Sequence, residues 1–333
     1  MIFKDKIDIV LPWVDPSDKT WQADKIRYSP VKHPQTSNDE KYFRDWDILK
    51  YLFRSIEYNM PWVHNIHFIT YGHIPTWMNI EHPKLKIHPH ASFFKKHHAF
   101  PVFSSDAIEM NIGNIPGLAD KFIYFNDDEI VVKPVDTSRF FRGNLPVDFL
   151  VQNLPRGGWL YRLLRTKDVY PDICKNCISP LNGLVKKYDL YRKNKNIFYD
   201  TSYSLKDKIL NFIFNIFKDY LWITPNHSPQ PLLKSSIIAC EELSPELIIE
   251  TANSRFRSAK DICHYIFRNY NLVTGQFYPH NYHDSHCIVL SDYNKSVKEL
   301  NMLNEYTFVC TNESEFLSHQ DFVRLKPILE KKL

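Results

Sequence analysis

Glycine is scarce, with eight residues in 333, and none sits in a GxGxxG or GxxxxGK[ST] pattern. Loops that cradle phosphate in dinucleotide-binding and P-loop proteins need glycine where the backbone approaches the anion, so the sequence disfavours both classes. A strong charge of one sign is also missing. Lys and Arg number 42 against 38 Asp and Glu, a formal net charge of +4. That excess is too small to argue for nucleic acid as a partner; it suits anionic small substrates or loose contact with an acidic membrane surface. No apolar run reaches the roughly 18 residues that a bilayer-spanning helix needs. At the start, MIFKDKIDIVLPWV, the charges of Lys4, Asp5, Lys6 and Asp8 interrupt any apolar leader. A cytoplasmic protein is expected, with association at the inner face of the membrane as an alternative. The cysteines, at 174, 177, 240, 263, 287 and 310, follow no dense spacing and read as reduced thiols. Cys174-Lys175-Asn176-Cys177 is a lone CxxC, and no second pair follows at zinc-finger spacing.

What is abundant is apolar and aromatic. Apolar residues make up 44% of the chain and aromatic ones 15%. This allows a full core in one large α/β domain, or in one domain with a substantial insertion. It also suits a cleft in which sugar rings stack on aromatic faces. Residues 7–14 (IDIVLPWV) read as a buried first strand, and further strands are expected over 66–70, 85–88 and 121–125. Ile48, Leu49, Leu52, Phe53 and Ile56 share one face of a helix over 43–59, which Pro61 ends. Other helices are expected over 105–113, 205–222, 244–252 and 258–270. This alternation predicts a mainly parallel, doubly wound sheet flanked by helices, with ligands at the strand ends. The apolar stretch 205–222 reads as a packed insertion helix or as one lying against a membrane. His82, His88, His90, His97 and His98 match no metal-ligand spacing and read as an exposed, mobile loop.

Four places carry chemistry. Asn126-Asp127-Asp128 directly follows the clearest strand, KFIYF, and forms an oxygen-rich corner that suits Mg²⁺ or Mn²⁺ on a diphosphate; the same residues also favour a plain turn. Trp13 and Asp15 follow the first strand and are placed to hold the ribose, base or metal of a nucleotide, or Asp15 makes an Asx turn before Pro16. His227, fixed among the prolines of NHSPQP, can accept a proton from a sugar hydroxyl near neutral pH, or it is structural. Arg255 and Arg257 stand before an expected helix, where they fork a phosphate or simply face solvent.

Together and in this order, these pieces resemble the Stealth family of hexose-1-phosphate transferases. The resemblance runs through IDIVLPWVDPSDKTW at 7–21; through RDWDILKY, RSIE, GHIPTW, FSSDAIE and FIYFNDD between about 42 and 133; through NHSPQP at 226–231; and through RFRS to Asp261. Trp46 and Ile48 stand where the family usually has polar residues, and Tyr71 and Ser104 where it usually has asparagine, which leaves the donor sugar open. The resemblance implies a glycosyltransferase-A-like nucleotide-sugar fold with a helical insertion. Residues 1–140 would form the nucleotide-sugar and metal half, 141–222 a variable insertion on the acceptor side, and 223–333 a part completing the site and ending in a helical tail. It implies that an acceptor hydroxyl attacks the β-phosphorus of a UDP-sugar, UMP leaves, and an oligo- or polysaccharide gains a phosphodiester-linked sugar. In that scheme Asp127 and Asp128 hold the metal. Arg257, with Arg255, balances phosphate charge, and His227 or Asp128 takes the proton. Glu109 and Asp47 orient sugar hydroxyls, and Arg44 touches phosphate. A metal-dependent glycosyltransferase releasing UDP is the alternative.

Overall fold

A computed structural model describes residues 6–29, 48–95, 98–156, 169–314 and 317–332. Arg44, Asp47 and His97 lie outside the described residues. In chain order the strands are β1 Ile7–Pro12, β2 Ile66–Thr70, β3 Leu85–Pro89, β4 Lys121–Tyr124, β5 Glu129–Val131, β6 Phe141–Arg142, β7 Leu145–Asp148, β8 Gln230–Leu233, β9 Tyr278–Pro279, β10 Ser285–Leu290 and β11 Phe308–Glu313.

The central sheet has the order β3-β2-β1-β4-β8. Its first four strands are parallel, and β8 closes the β4 edge in the antiparallel sense. Period-two alternation decides which residues face which layer. Val10, Phe122, Tyr124 and Leu232 enter one apolar cluster with Ile237, Cys240, Tyr265 and Ile266, from helices Lys234–Leu243 and Tyr265–Thr274. Ile9, Leu11, Ile123 and Phe125 enter the other with Leu49, Leu52 and Ile56, from helix Leu49–Asn59. Burial on both faces explains why β1 reads as continuously apolar rather than alternating. The expected α/β architecture, a mainly parallel sheet with helices on both faces, is the one observed.

At the amino end of the sheet, buried Asp8 accepts hydrogen bonds from the Ala119 and Asn65 backbones (2.8 and 3.0 Å) and lies 2.8 and 3.0 Å from His64 Nδ1 and His67 Nε2. Burial alone would raise its pKa, but these partners outweigh burial and hold it below the ordinary value. Across the sheet edge, Arg268 forks buried Asp148 through two 2.8 Å bonds, and Gln230 donates to the same carboxylate. That ion pair ties β7 and β8 to helix Tyr265–Thr274.

Several elements differ from expectation. The histidine-rich stretch is not an exposed loop: His88, His90 and His98 are buried, because β3 turns His88 inward against His67 (3.0 Å) and His90 sits among Phe93, Phe94 and Tyr71. The helix expected over 258–270 begins only at Tyr265, because Asp261 accepts hydrogen bonds from Ser258 N and Ser254 Oγ (both 2.7 Å) and pins the preceding loop. Arg255 and Arg257 therefore precede a loop, not a helix N-terminus. The C-terminal stretch contains strands as well as helices: β10 and β11 are parallel neighbours, and β11 pairs antiparallel with β5. The helix expected over 205–222 ends at Phe214, and it is not packed on its apolar side, since Leu205, Ile209, Phe212 and Ile213 are exposed. No described helix is long and apolar enough to cross a membrane.

Candidate active site

The chain leaves β1 toward β2 and β3 on one side, while β4 and β8 lie on the other. The order of the sheet thus reverses between β1 and β4. In open α/β sheets the ligand crevice opens at the carboxyl ends of the strands at such a point. The loop carrying Trp13 and Asp15 leaves β1 there, and Asn126-Asp127-Asp128 leaves β4 beside it.

The corner after β4 is shaped by Glu129. This buried carboxylate accepts from Asn126 N (3.1 Å) and Asn126 Nδ2 (3.2 Å) and closes the turn. Burial, with Asp128 next to it, pushes Glu129 well above the ordinary carboxylate range. Asp127 is exposed. Asp128 is half-buried; Cys310 Sγ donates to its Oδ2 at 3.1 Å, while its Oδ1 is buried without a partner. Burial raises the Asp128 pKa against the opposing pulls of His227 and Cys310. An orphaned carboxylate oxygen beside a second, exposed carboxylate is a donor set that fits a hard divalent cation.

His227 is exposed and close enough to act electrostatically on both Asp128 and Cys287. Its segment is anchored by Tyr265, whose hydroxyl donates to Asn226 O at 2.9 Å. Cys287 and Cys310 face each other on β10 and β11, with sulfurs 3.9 Å apart, and Asn312 Nδ2 donates to Cys287 (3.1 Å). The adjoining Cys310 thiol, with Asn312 and His227, brings Cys287 down to about 6.

A second group lies under Tyr124, at the end of β4. Glu109 accepts from Tyr124 Oη (2.8 Å) and His264 N (2.6 Å), and its Oε2 is 3.1 Å from His264 Nδ1. Burial alone would raise Glu109, but His264 and Tyr124 hold it below its ordinary value. Arg257 donates to Asp106 through Nε (3.0 Å) and to Ser105 through Nη2 (2.5 Å). Burial lifts Asp106 to about 7 against the pull of Arg257, with Glu109 and Asp261 adding to the rise. Arg255 stacks over Tyr28, 4.5 Å from its ring centre, and its Nε is buried without a partner.

Asp15 takes the turn-forming geometry: its Oδ1 accepts from Ser17 N (2.8 Å) and Ser17 Oγ (2.6 Å), while its backbone N–H donates to His73 Nε2. Trp13 is buried, stacked on Phe68 and edge-on to His73. Its ring forms a wall at the end of β1 rather than an open stacking platform. Tyr71 donates to Asp24 (2.6 Å) and faces Phe100, Phe103 and His90.

A cavity of about 160 Å³ opens beside Asn226, lined by Arg139, Asp148, His280, Tyr282 and His283 among others. A larger one, about 490 Å³, lies between helix Leu49–Asn59 and β5 and holds none of the expected site residues. The smaller cavity also holds none of them and approaches the site only through Asn226, the residue before His227.

The structure thus joins Asp127, Asp128 and His227 in one cluster and sets Glu109 and Arg257 in a buried polar layer linked to it by Tyr124. Sequence reasoning missed Asp106, Tyr124, His264, Cys287 and Cys310. Asp106, Tyr124 and His264 stood inside or beside quoted motifs. For the cysteines the signal is the strand-like runs SHCIVL and FVCTNE.

A doubly wound α/β chain with paired carboxylates, a histidine and an arginine layer at its switch point has the make-up of a transferase acting on phosphorylated substrates. The comparisons give the family. Residues 5–30 match Stealth protein CR1, conserved region 1, and residues 42–147 match Stealth protein CR2, conserved region 2. The chain is 31% identical over 330 residues to the capsular polysaccharide phosphotransferase WcwK of Streptococcus pneumoniae, covering 98% of this chain and 96% of that one. It is 31% identical over 308 residues to the exopolysaccharide phosphotransferase cps2G of Lactiplantibacillus plantarum, covering 92% and 87%. The protein belongs to the Stealth family and is a phosphotransferase. Among solved structures, the WbbM bifunctional glycosyltransferase aligns with a TM-score of 0.42 and 11% identity, covering all of this chain and 52% of that one, too distant to add to the fold described above.

Proposed function

We propose that the enzyme transfers a hexose-1-phosphate, of the N-acetylhexosamine kind, from a UDP-sugar to a sugar hydroxyl of a capsular or cell-surface polysaccharide. The new bond joins the acceptor oxygen to the β-phosphorus. The bond that breaks joins that phosphorus to the bridging oxygen, which leaves with UMP, and the anomeric bond stays intact. The observation that carries this reading is that Asp127 and Asp128 leave the end of β4 beside His227, which enters β8 where Gln230 pairs with Tyr124, next to the β1–β4 switch point in a phosphotransferase.

Asp127 and Asp128 would hold Mg²⁺ or Mn²⁺, which when bound neutralises diphosphate charge. His227, exposed at the mouth, takes the proton of the attacking hydroxyl, and the adjacent Asp128 balances the resulting imidazolium. Arg257 is aimed by its fork onto Asp106 and Ser105, and Nη1, which makes neither bond, meets the transferred phosphoryl oxygens. Glu109 is held by Tyr124 and His264 as a rigid acceptor for a donor-sugar hydroxyl. Trp13, Asp15 and Arg255 line the nucleotide end. The cavity beside Asn226 suits the acceptor sugar, because its aromatic, imidazole and amide walls offer both stacking and hydrogen bonds. The test is incubation with UDP-N-acetylhexosamines, Mg²⁺ and capsule oligosaccharide. UMP as the released nucleotide supports the reading, and UDP sends the enzyme to glycosyl transfer.

A further inference from the structure

Helix Leu205–Phe214 is mounted with its apolar side outward. Ser204 caps it by accepting from Asp207 N, and Asn211 points into the protein with all its amide groups engaged. Asn211 Nδ2 donates to Leu150 O and Phe198 O, each at 2.8 Å, and its Oδ1 accepts from Gln152 N at 2.8 Å. A buried asparagine bonded on three sides fixes the rotation of the helix. That rotation leaves Leu205 75%, Ile209 49%, Phe212 71% and Ile213 46% exposed, and Ile216 in the following turn 78% exposed. At about 100° per residue these positions, spaced i, i+4, i+7, i+8 and i+11, fall in one sector roughly 100° wide. Lys206 projects on one flank of that sector and Lys208 on the other, while Asp207 lies on the opposite side, bonded to Ser204 Oγ. Lys218 and Asp219 follow, both exposed, in the next loop, and the neighbouring segment exposes Arg192, Lys193 and Lys195 together with Asp189.

An apolar stripe of this size facing water marks a contact surface rather than an incidental leucine. Its borders select the occupant. A lysine on each edge of a phenylalanine- and isoleucine-rich face is the arrangement of a helix lying in a bilayer interface, where lysine stems extend along apolar surface and their ammonium groups reach lipid phosphates. Two copies of this chain pairing through the stripe would set lysine flank against lysine flank, with no acidic side chain of the helix facing them. We infer that helix Leu205–Phe214 and the turn after it seat the enzyme on an anionic phospholipid surface, with the apolar stripe immersed to headgroup depth. The inference does not depend on the donor chemistry proposed above.

The full chain is sedimented with vesicles of phosphatidylcholine alone and of phosphatidylcholine mixed with phosphatidylglycerol. Wild type should partition onto the anionic vesicles about tenfold better, and added salt should weaken that preference. The pair Phe212→Asp and Ile216→Asp should lower binding by at least about tenfold, and Lys206→Ser with Lys208→Ser should remove the preference for anionic lipid. Phe212, Ile216 and Lys206 are exposed, and Lys208 is half-exposed with its Nζ 3.5 Å from Thr201 O; none of the four belongs to the core, and circular dichroism and turnover of a soluble acceptor should match wild type. Failure of wild type to sediment with anionic vesicles at low salt, or equal binding by the apolar variant, overturns the proposal. So does a wild-type dimer in analytical ultracentrifugation that the apolar variant splits, because a second copy then covers the stripe.

Discussion

His90 gives the sharpest stability prediction. It is fully enclosed by Phe93, Phe94 and Tyr71, and neither ring nitrogen has a partner. Burial, with the nearby His73 adding to it, pulls its pKa from 6.5 down to about 3. The folded protein therefore keeps His90 neutral, while the unfolded chain protonates it below about 6.5. The stability of this arrangement is fully present above pH 6.5 and is lost progressively as pH falls toward 3. Linkage across that gap gives a loss of about 2 kcal/mol from this residue between about pH 8 and pH 5. Replacing His90 with Phe keeps the ring shape and removes the titration. His90→Phe should also gain about 1–3 kcal/mol at alkaline pH by deleting two unsatisfied polar atoms. The assay is urea unfolding of wild type and variant at a series of pH values, with the two stability curves subtracted. The difference should widen by about 2 kcal/mol on acidification, since other titrating groups cancel. Parallel curves would refute the neutral, buried His90. His88, lowered to about 4 by burial and by His67, acts in the same direction.

Other outcomes follow from the same geometry. Cys310→Ala removes the thiol that donates to Asp128 Oδ2; turnover should fall about three- to tenfold, and Cys310→Ser, which keeps a donor, should restore most of it. Equal rates in all three proteins would mean that Asp128 is oriented by something else. Arg268→Met strands buried Asp148 without its fork and should cost about 3–5 kcal/mol in thermal or urea unfolding; a loss under about 1 kcal/mol would contradict the account of that ion pair. Asp127→Asn and chelation should each lower turnover by two or more decades, roughly the effect of losing a charge-stabilising ion, and full activity in excess chelator would remove the metal from the scheme. His227→Ala should lower the rate by about two to four decades with donor affinity by calorimetry little changed; more than about a tenth of the rate left in a folded variant would make Asp128 the base.

Much of this arrangement is legible in the sequence. The runs around Ile9, Phe68 and Phe122 are apolar on both faces and mark central parallel strands. Asn126-Asp127-Asp128 directly follows the clearest of them, KFIYF, so its place at a strand end can be read directly. What could not be read was what other segments bring to that end. Cys310 meets Asp128, 182 positions away in sequence, only because β11 pairs with β5, and no local pattern encodes such a pairing. His264 reaches Glu109 across 155 positions in the same way. The histidines of 82–98 misled for a related reason. Polar residues suggest a loop, but β3 places His88 on its inner side, and aromatic packing encloses His90. The insertion helix left two readings open, packed or lying against a membrane, and the bonds of Asn211 turn its apolar residues outward.

The central claim is that the phosphorus next to the sugar travels with it. The direct measurement uses a UDP-sugar carrying radiophosphorus only in the β-phosphate, incubated with the full-length enzyme, divalent cation and oligosaccharide acceptor. The products are then separated into nucleotide and glycan. The account predicts that the label enters the glycan as a phosphodiester while unlabelled UMP is released. Label retained in UDP, with an unlabelled glycan one sugar longer, would contradict it.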